Sequence, residues 1–379
     1  MNAQTEYGRE VQVRRGLPNL QARRQRNEPI IVGFLGGSIT EGYGAKDPDT
    51  GCYRALTGQY LQNVFGSDNV TCINAGVGGT TSTFGAHRFQ EHVMSGISSI
   101  DLLFVEFSVN DGADREESIR GVEGIVRQCN RLNPQADICF LYTADDDNLG
   151  EGLPFNIAVH EEVAAHYNLP SVNFAAHVRG MIREGETTWE ELAPDRTHPN
   201  DAGYAVYADR LTTFLGTVLS EEAVTDVHLI QAAATAPLEA NNLAYAAMQD
   251  IAGLATPDGF SLRDLSQEPI MNWRYDSTHL FTDQPGAELT IGLQVKGIGV
   301  LAMWGPKSGI FEYSVNGSAY KQVNMFDEWC LGAYRPIISQ LELYEEAQSI
   351  RLSIRNTASK DERSIGNELR LLKLLVIEE

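Results

Sequence analysis

The sequence is poor in cationic charge, in cysteine and in long apolar runs. Lys and Arg number 29 against 51 Asp and Glu, a formal charge of −22. So acidic a chain is a poor partner for nucleic acid or an anionic membrane, and it disfavours polyanionic substrates. The five cysteines, Cys52, Cys72, Cys129, Cys139 and Cys330, are odd in number and form no C-x-x-C pair. That argues against a disulfide framework and a structural zinc site and leaves reduced, mostly buried thiols. No stretch reaches the ~18 apolar residues of a membrane span. Residues 1–29 lack the apolar centre of a secretory signal, and Glu6, Glu10 and Glu28 count against a transit peptide, so a cytoplasmic location is expected. A G-K-[ST] phosphate loop and a G-x-G-x-x-G dinucleotide turn are both missing.

What is present is ordinary globular composition over 379 residues, with 42% hydrophobic and 21% charged, enough for two domains. From Ile30 to Leu219 short apolar runs alternate with amphipathic stretches. Ile30–Leu35, Val70–Asn74, Leu102–Phe107, Ile138–Thr143 and Ser171–Phe174 read as strands. Helical spacing covers Tyr53–Val64, Ile119–Cys129 and Asn156–Tyr167, and a last helix begins at Asn200. This grammar predicts a parallel sheet covered by helices on both faces. Past Leu219 it changes. Residues 221–270 are Ala-rich and read as a connector. Residues 271–379 alternate with period two around 289–295, 310–315 and 350–355, with a hairpin signal at Asn316-Gly317. A β-sandwich of jelly-roll type is expected there. The expected division is therefore 1–220, 221–270 and 271–379.

In a parallel α/β sheet, sites lie beyond the carboxyl ends of the strands. Four segments sit there. Gly36-Gly37-Ser38-Ile39-Thr40 follows the first strand and offers Ser38 at a turn. Asn74-Ala75-Gly76-Val77-Gly78-Gly79 follows the second, where glycines can present bare backbone N–H groups. Ser108-Val109-Asn110-Asp111 follows the third and offers the Asn110 amide. Asp195-Arg196-Thr197-His198-Pro199-Asn200 precedes the last helix, with His198 as a base and Asp195 three residues earlier to fix its tautomer. Each alone is no more than turn or surface-loop chemistry.

Together, in this order, the four blocks resemble the SGNH (GDSL-like) serine hydrolase superfamily over about residues 28–219. Two departures are visible: GGSIT stands where the name-giving pattern is GDSL, and Ser108 stands where many members have Gly. The resemblance implies a flavodoxin-like three-layer α/β/α domain and serine esterase chemistry needing no metal or organic cofactor. By position it implies Ser38 as nucleophile, His198 as base and Asp195 as orienting acid. The oxyanion donors would be the Ser38 N–H, the Gly79 N–H (or Gly78, one position earlier) and the Asn110 side chain.

The second domain resembles sandwiches appended to carbohydrate esterases of this superfamily. That implies a deacetylase acting on a small-molecule or oligosaccharide ester, with room for a homo-oligomer. The substrate-binding candidates are Glu41 beside the nucleophile loop, Trp189 near Asp195, and Trp304 and Trp329 in the β region. A lipase, thioesterase or arylesterase is the alternative, and an inactive carbohydrate-binding protein a more distant one. The remaining histidines, His87, His92, His160, His166 and His177, read as structural or surface residues, and Asp145–Asp147 as an acidic loop tip.

Overall fold

The computed structural model describes residues 9–220, 235–251 and 257–379. Parts of the expected connector, 221–234 and 252–256, and the first residues of the N-terminal extension, 1–8, lie outside the described residues. The chain divides into two compact units, Met1–Ala244 and Tyr245–Glu379.

The first unit is built on strands β1 (Val11–Gln12), β2 (Ile30–Gly36), β3 (Val70–Gly76), β4 (Leu102–Glu106), β5 (Asp137–Tyr142) and β6 (Ser171–Asn173). Their order is β1-β6-β5-β4-β2-β3. All pairs are parallel except β1, which lies antiparallel on β6. Strands β4 and β5 are buried along their whole length, as expected of strands covered on both faces. One helical layer runs through α4 (Ser82–Val93), α5 (Arg115–Leu132) and α6 (Phe155–His166), packed in succession. In the other, α8 (Asp201–Ser220) packs on α1 (Pro18–Arg26), α3 (Tyr53–Phe65) and α7 (Phe174–Glu184). This is the expected flavodoxin-like three-layer arrangement. Among the described residues no helix is long and apolar enough to cross a membrane.

The strand order sets the site. The chain leaves β2 for β3 on one side, then crosses to β4 on the other, so the topological switch lies between β2 and β4. The register is equally telling. Gly36 pairs with Gly76 on one side and with Glu106 on the other. The three strands therefore end in one row, and the loops carrying Ser38, Gly79 and Asn110 leave the same edge of the sheet.

The second unit is antiparallel, as the period-two pattern predicts. Its strands are β7 (Ala246–Asp250), β8 (Ser261–Arg263), β9 (His279–Thr282), β10 (Glu288–Trp304), β11 (Ile310–Val315), β12 (Lys321–Asn324), β13 (Arg335–Asn356) and β14 (Leu369–Ile377). Two of these, β7 and β8, fall within 221–270. The strands form one eight-stranded sheet that runs on through bulges. The bulges explain the core. Along β10 the core side chains are Leu289, Ile291 and Val295, then Ile298, Val300 and Ala302. The switch from odd to even numbers falls where the register shifts, between Val295 and Ile298. One extra residue thus keeps the same face inward along a bent strand. The hairpin signal holds: Asn316 and Gly317 both take positive φ, and the Val315 carbonyl accepts from the Ser318 N–H.

One buried group gives this unit a pH dependence. His279 donates from Nδ1 to the Ser277 carbonyl (2.7 Å) and accepts at Nε2 from Arg370 (3.1 Å). Burial, with the Arg370 and Arg263 charges, pushes it from 6.5 down to about 4. The unfolded chain then binds the extra proton first. Stability from this group is complete above about 6.5 and is lost as pH falls toward about 4, by up to about 3 kcal/mol. Three of the four tryptophans, Trp273, Trp304 and Trp329, lie in this unit. Denaturant unfolding of the whole protein followed by tryptophan emission should show the loss between pH 7 and pH 5, and His279→Gln should flatten it. An unchanged slope in that variant would assign the pH effect elsewhere.

Candidate active site

Ser38 opens a four-residue helix, α2 (Ser38–Glu41), straight after β2. Its N–H lies in the first turn, where no intrahelical carbonyl is available. The turn is tight because Gly37 has no side chain: a Cβ there would run into the Asn110 amide oxygen. Two of the four blocks therefore interlock at the switch point. A Cβ at Gly76 would likewise strike the Glu41 backbone, which brings the glycine block after the second predicted strand against α2.

Ser38 Oγ lies 2.8 Å from His198 Nε2, although 160 residues separate them. His198 Nδ1 lies 2.7 Å from Asp195 Oδ2. A carboxylate can only accept, so Nδ1 carries the proton and Nε2 is left to accept from Ser38. Asp195 Oδ1 accepts the backbone N–H groups of His198 (2.7 Å) and Thr197 (3.0 Å). Burial would raise the Asp195 carboxyl, but these hydrogen bonds outweigh it and hold it below its ordinary value. Among the described residues, no group of His, Cys, Asp and Glu could hold a metal ion.

The loop that carries His198 is braced from behind. Trp189, a substrate-binding candidate in the sequence, is 3% exposed and donates from Nε1 to the Arg196 carbonyl (3.0 Å). Arg196, at φ 71°, reaches Asp146 (2.6 Å) and also pairs with Glu190. The acidic tip at Asp145–Asp147 is thereby tied to the Asp195 loop. The Glu41 carboxylate accepts the Gly78 N–H (2.8 Å) and so braces the glycine loop. Trp304 and Trp329 belong to the second unit. Trp304 packs against that unit's own core, and Trp329 stands 61% exposed on a short 3-10 turn.

Three supporting groups escaped the sequence reading. Arg88, fully buried on α4, donates to the carbonyls of Ala75 and Gly36 (2.7 Å for the latter) and to the Thr80 hydroxyl (3.2 Å). It clamps the ends of β2 and β3 together. Glu106, at the end of β4, accepts from the hydroxyls of Thr40 (2.8 Å) and Thr143 (2.9 Å). Burial lifts its carboxyl above the ordinary value against those hydrogen bonds and one from the Gly37 N–H. Asp111 is buried beside Asn110. It accepts from the Ser82 N–H and hydroxyl (both 2.7 Å) and lies 2.7 Å from His160 Nε2. This carboxylate joins the Asn110 loop to the start of α4, immediately after the glycine loop. A lone Glu in the apolar run LLFVEF and an acid next to Asn110 were available signals; Arg88 had none.

Residues 34–206 match the model of the GDSL-like lipase/acylhydrolase family. Two solved structures of a two-domain esterase (CEX) active on acetylated mannans superpose on the chain with a TM-score of 0.79 at 23% identity. The one co-crystallised with mannopentaose matches over 100% of this chain and 99% of its own. The other matches over 98% and 97%. At that identity the likeness shows a shared fold. Axe2, an acetylxylan esterase from Geobacillus stearothermophilus, matches over 52% of this chain and 98% of its own, at 19% identity and a TM-score of 0.43. No curated protein sequence matches the chain.

Proposed function

We propose that this chain, whose N-terminal unit carries a GDSL-like lipase/acylhydrolase domain, is a serine esterase that removes O-acetyl groups from carbohydrates. The observation that carries this reading is the relay Asp195–His198–Ser38, with both hydrogen bonds in place at 2.7 and 2.8 Å.

Ser38 is a weak nucleophile until His198 Nε2 takes its proton. Attack on the acetyl carbonyl carbon moves negative charge to the carbonyl oxygen. The donors for that oxygen are the Ser38 N–H, the Gly79 N–H and the Asn110 side-chain amide. Gly78 is set aside because its N–H is already committed to Glu41. The C–O bond to the sugar then breaks, and His198 returns its proton to the departing sugar oxygen. Water, deprotonated by the same Nε2, attacks the acetyl-Ser38 ester; the bond from carbon to Oγ breaks, acetate leaves and Oγ takes the proton back from His198. Asp195 stays ionised throughout and stabilises the imidazolium.

A carbohydrate as the alcohol is favoured by two features. The chain has the two-unit architecture of an esterase active on acetylated mannans, and its charge of −22 disfavours acyl-CoA and other polyanions. The test is acetate release from acetylated manno- and xylo-oligosaccharides beside p-nitrophenyl acetate and octanoate. Faster turnover of an acetylated sugar than of octanoate is expected. Preference for octanoate would replace the carbohydrate reading with a lipase or thioesterase.

A further inference from the structure

The three donors assigned to the oxyanion stand on three different segments, and two carboxylates tie those segments together. Glu41 ends the short helix that Ser38 opens, and its carboxylate accepts the Gly78 N–H (2.8 Å). Asp111 follows Asn110, and its carboxylate accepts the Ser82 N–H and hydroxyl (both 2.7 Å). The glycine loop is therefore held at both ends, at Gly78 by the nucleophile's helix and at Ser82 by the asparagine loop. Gly79 lies between the two anchors, at φ 68°. Each carboxylate spans one gap between donors: Glu41 links Ser38 to Gly79, and Asp111 links Gly79 to Asn110.

Both carboxylates are themselves fixed. The Glu41 backbone packs on Gly76 so closely that a Cβ there would lie 2.2 Å from the Glu41 nitrogen. The Glu41 N–H donates to the Gly37 carbonyl (3.0 Å), and the Asn74 amide reaches the Glu41 carbonyl (3.4 Å). Asn74 also accepts the Gly76 N–H (3.0 Å), at the foot of the glycine loop. Asp111 is 4% exposed and is gripped from a third side by α6. Asn156 donates to its carbonyl (2.6 Å), and the buried His160 meets its carboxylate through Nε2 (2.7 Å). A carboxylate can only accept, so the His160 proton sits on Nε2. His160 Nδ1 is buried and has no hydrogen-bond partner among the described residues, so the ring's one hydrogen bond goes to Asp111. Hydrogen bonds to an ionised acceptor are stronger than neutral ones and fix direction as well as distance. Oxyanion donors act only when they point at the place where charge develops, and a misplacement of about 1 Å can cost about 10²-fold in rate.

We propose that Glu41 and Asp111 are positioning residues that staple the three oxyanion donors pairwise, with Glu41 acting through Gly79 rather than on the sugar. This rests on the serine-esterase reading and is independent of which alcohol the ester carries.

The experiment uses the full chain and p-nitrophenyl acetate, whose alcohol makes no demand on a sugar site. Glu41→Ala and Asp111→Asn should each lower kcat by about ten- to a hundredfold with KM within about twofold, because the donors act in the transition state. Glu41→Gln keeps an acceptor for the Gly78 N–H and should recover most of the loss. Asp111→Asn combined with Asn110→Ala should fall at least about fivefold short of the product of the two single losses, because part of the Asp111 effect passes through Asn110. Should Asp111→Asn not fold, Ser82→Ala, which removes the hydroxyl anchor alone, should still lower kcat by about threefold or more at constant KM. Wild-type kcat in these variants, a raised KM at unchanged kcat, or losses that simply multiply would each overturn the staple and leave the esterase reading standing. Hydrolysis that survives Ser38→Ala would overturn the esterase reading and the staple with it.

Discussion

Ser38→Ala should lower kcat for acetyl ester hydrolysis by about 10⁴–10⁶-fold, with little change in KM. The size follows from the geometry. Without Oγ there is no atom 2.8 Å from His198 Nε2 to attack the carbonyl, so the two-step route through an acyl-enzyme closes. What survives is attack by water assisted by the remaining donors, a residual catalysis of about 10³–10⁴ over the uncatalysed rate in comparable triad enzymes. His198→Ala should cost about as much, and the double variant no more than either single one, because the two residues act as one unit. The burst of p-nitrophenol from p-nitrophenyl acetate and labelling by a fluorophosphonate should vanish in Ser38→Ala. Persistent acetate release near the wild-type rate in that variant would refute a Ser38 acyl-enzyme.

The parts of this molecule that were legible in the sequence share one property: they are local. Strands ending in glycine, a Gly-Gly-Ser turn and an Asp-x-x-His loop before a helix are each decided within a few residues. The pairing of Gly36 with both Gly76 and Glu106 then brings the nucleophile, glycine and asparagine loops to one edge. The less legible parts are set by contacts distant in sequence. Arg88 looks like a surface cation on a helix, yet it is buried and holds the carbonyls of Gly36 and Ala75. His160 looks like a core or surface histidine, yet it meets Asp111 from a helix 49 residues away. In the second unit the alternation in residues 288–304 predicts a strand. The shift of parity after Val295 depends on a partner strand more than 40 residues on, so a single sequence does not announce it.

These distant groups share a pattern. Arg88, Glu106 and Asp111 are all buried, and each links two of the loops or strand ends around Ser38. Buried charges are costly to hold unless fully hydrogen-bonded. Here the bonds go to backbone carbonyls, backbone N–H groups and hydroxyls around the site, with the His160 ring as a further partner of Asp111. The cost is therefore met by contacts that fix the loops carrying Ser38, Gly79 and Asn110, the preorganisation that the proposed acyl transfer requires.

Asp195→Asn isolates the other half of the relay, and its expected effect is a loss of about 10³–10⁴-fold in kcat with the loop intact. Asp195 does two jobs with two oxygens. Oδ1 shapes the turn by accepting the N–H groups of Thr197 and His198, and Oδ2 accepts from His198 Nδ1. Asparagine has one acceptor oxygen and one donor NH₂. The oxygen is held by the two backbone N–H groups, which leaves the NH₂ facing Nδ1. Nδ1 must then be the bare nitrogen and Nε2 must carry the proton, so Nε2 no longer accepts from Ser38 Oγ. The imidazolium that forms on attack also loses its partner anion. Hydrogen bonds hold the wild-type carboxyl below its ordinary value, so it stays ionised and remains an acceptor for Nδ1. Asp195→Ala should differ in kind, because it removes the turn as well and should lower the thermal midpoint along with kcat. An Asn variant retaining more than about a tenth of wild-type kcat would show that the tautomer is set by something other than Asp195.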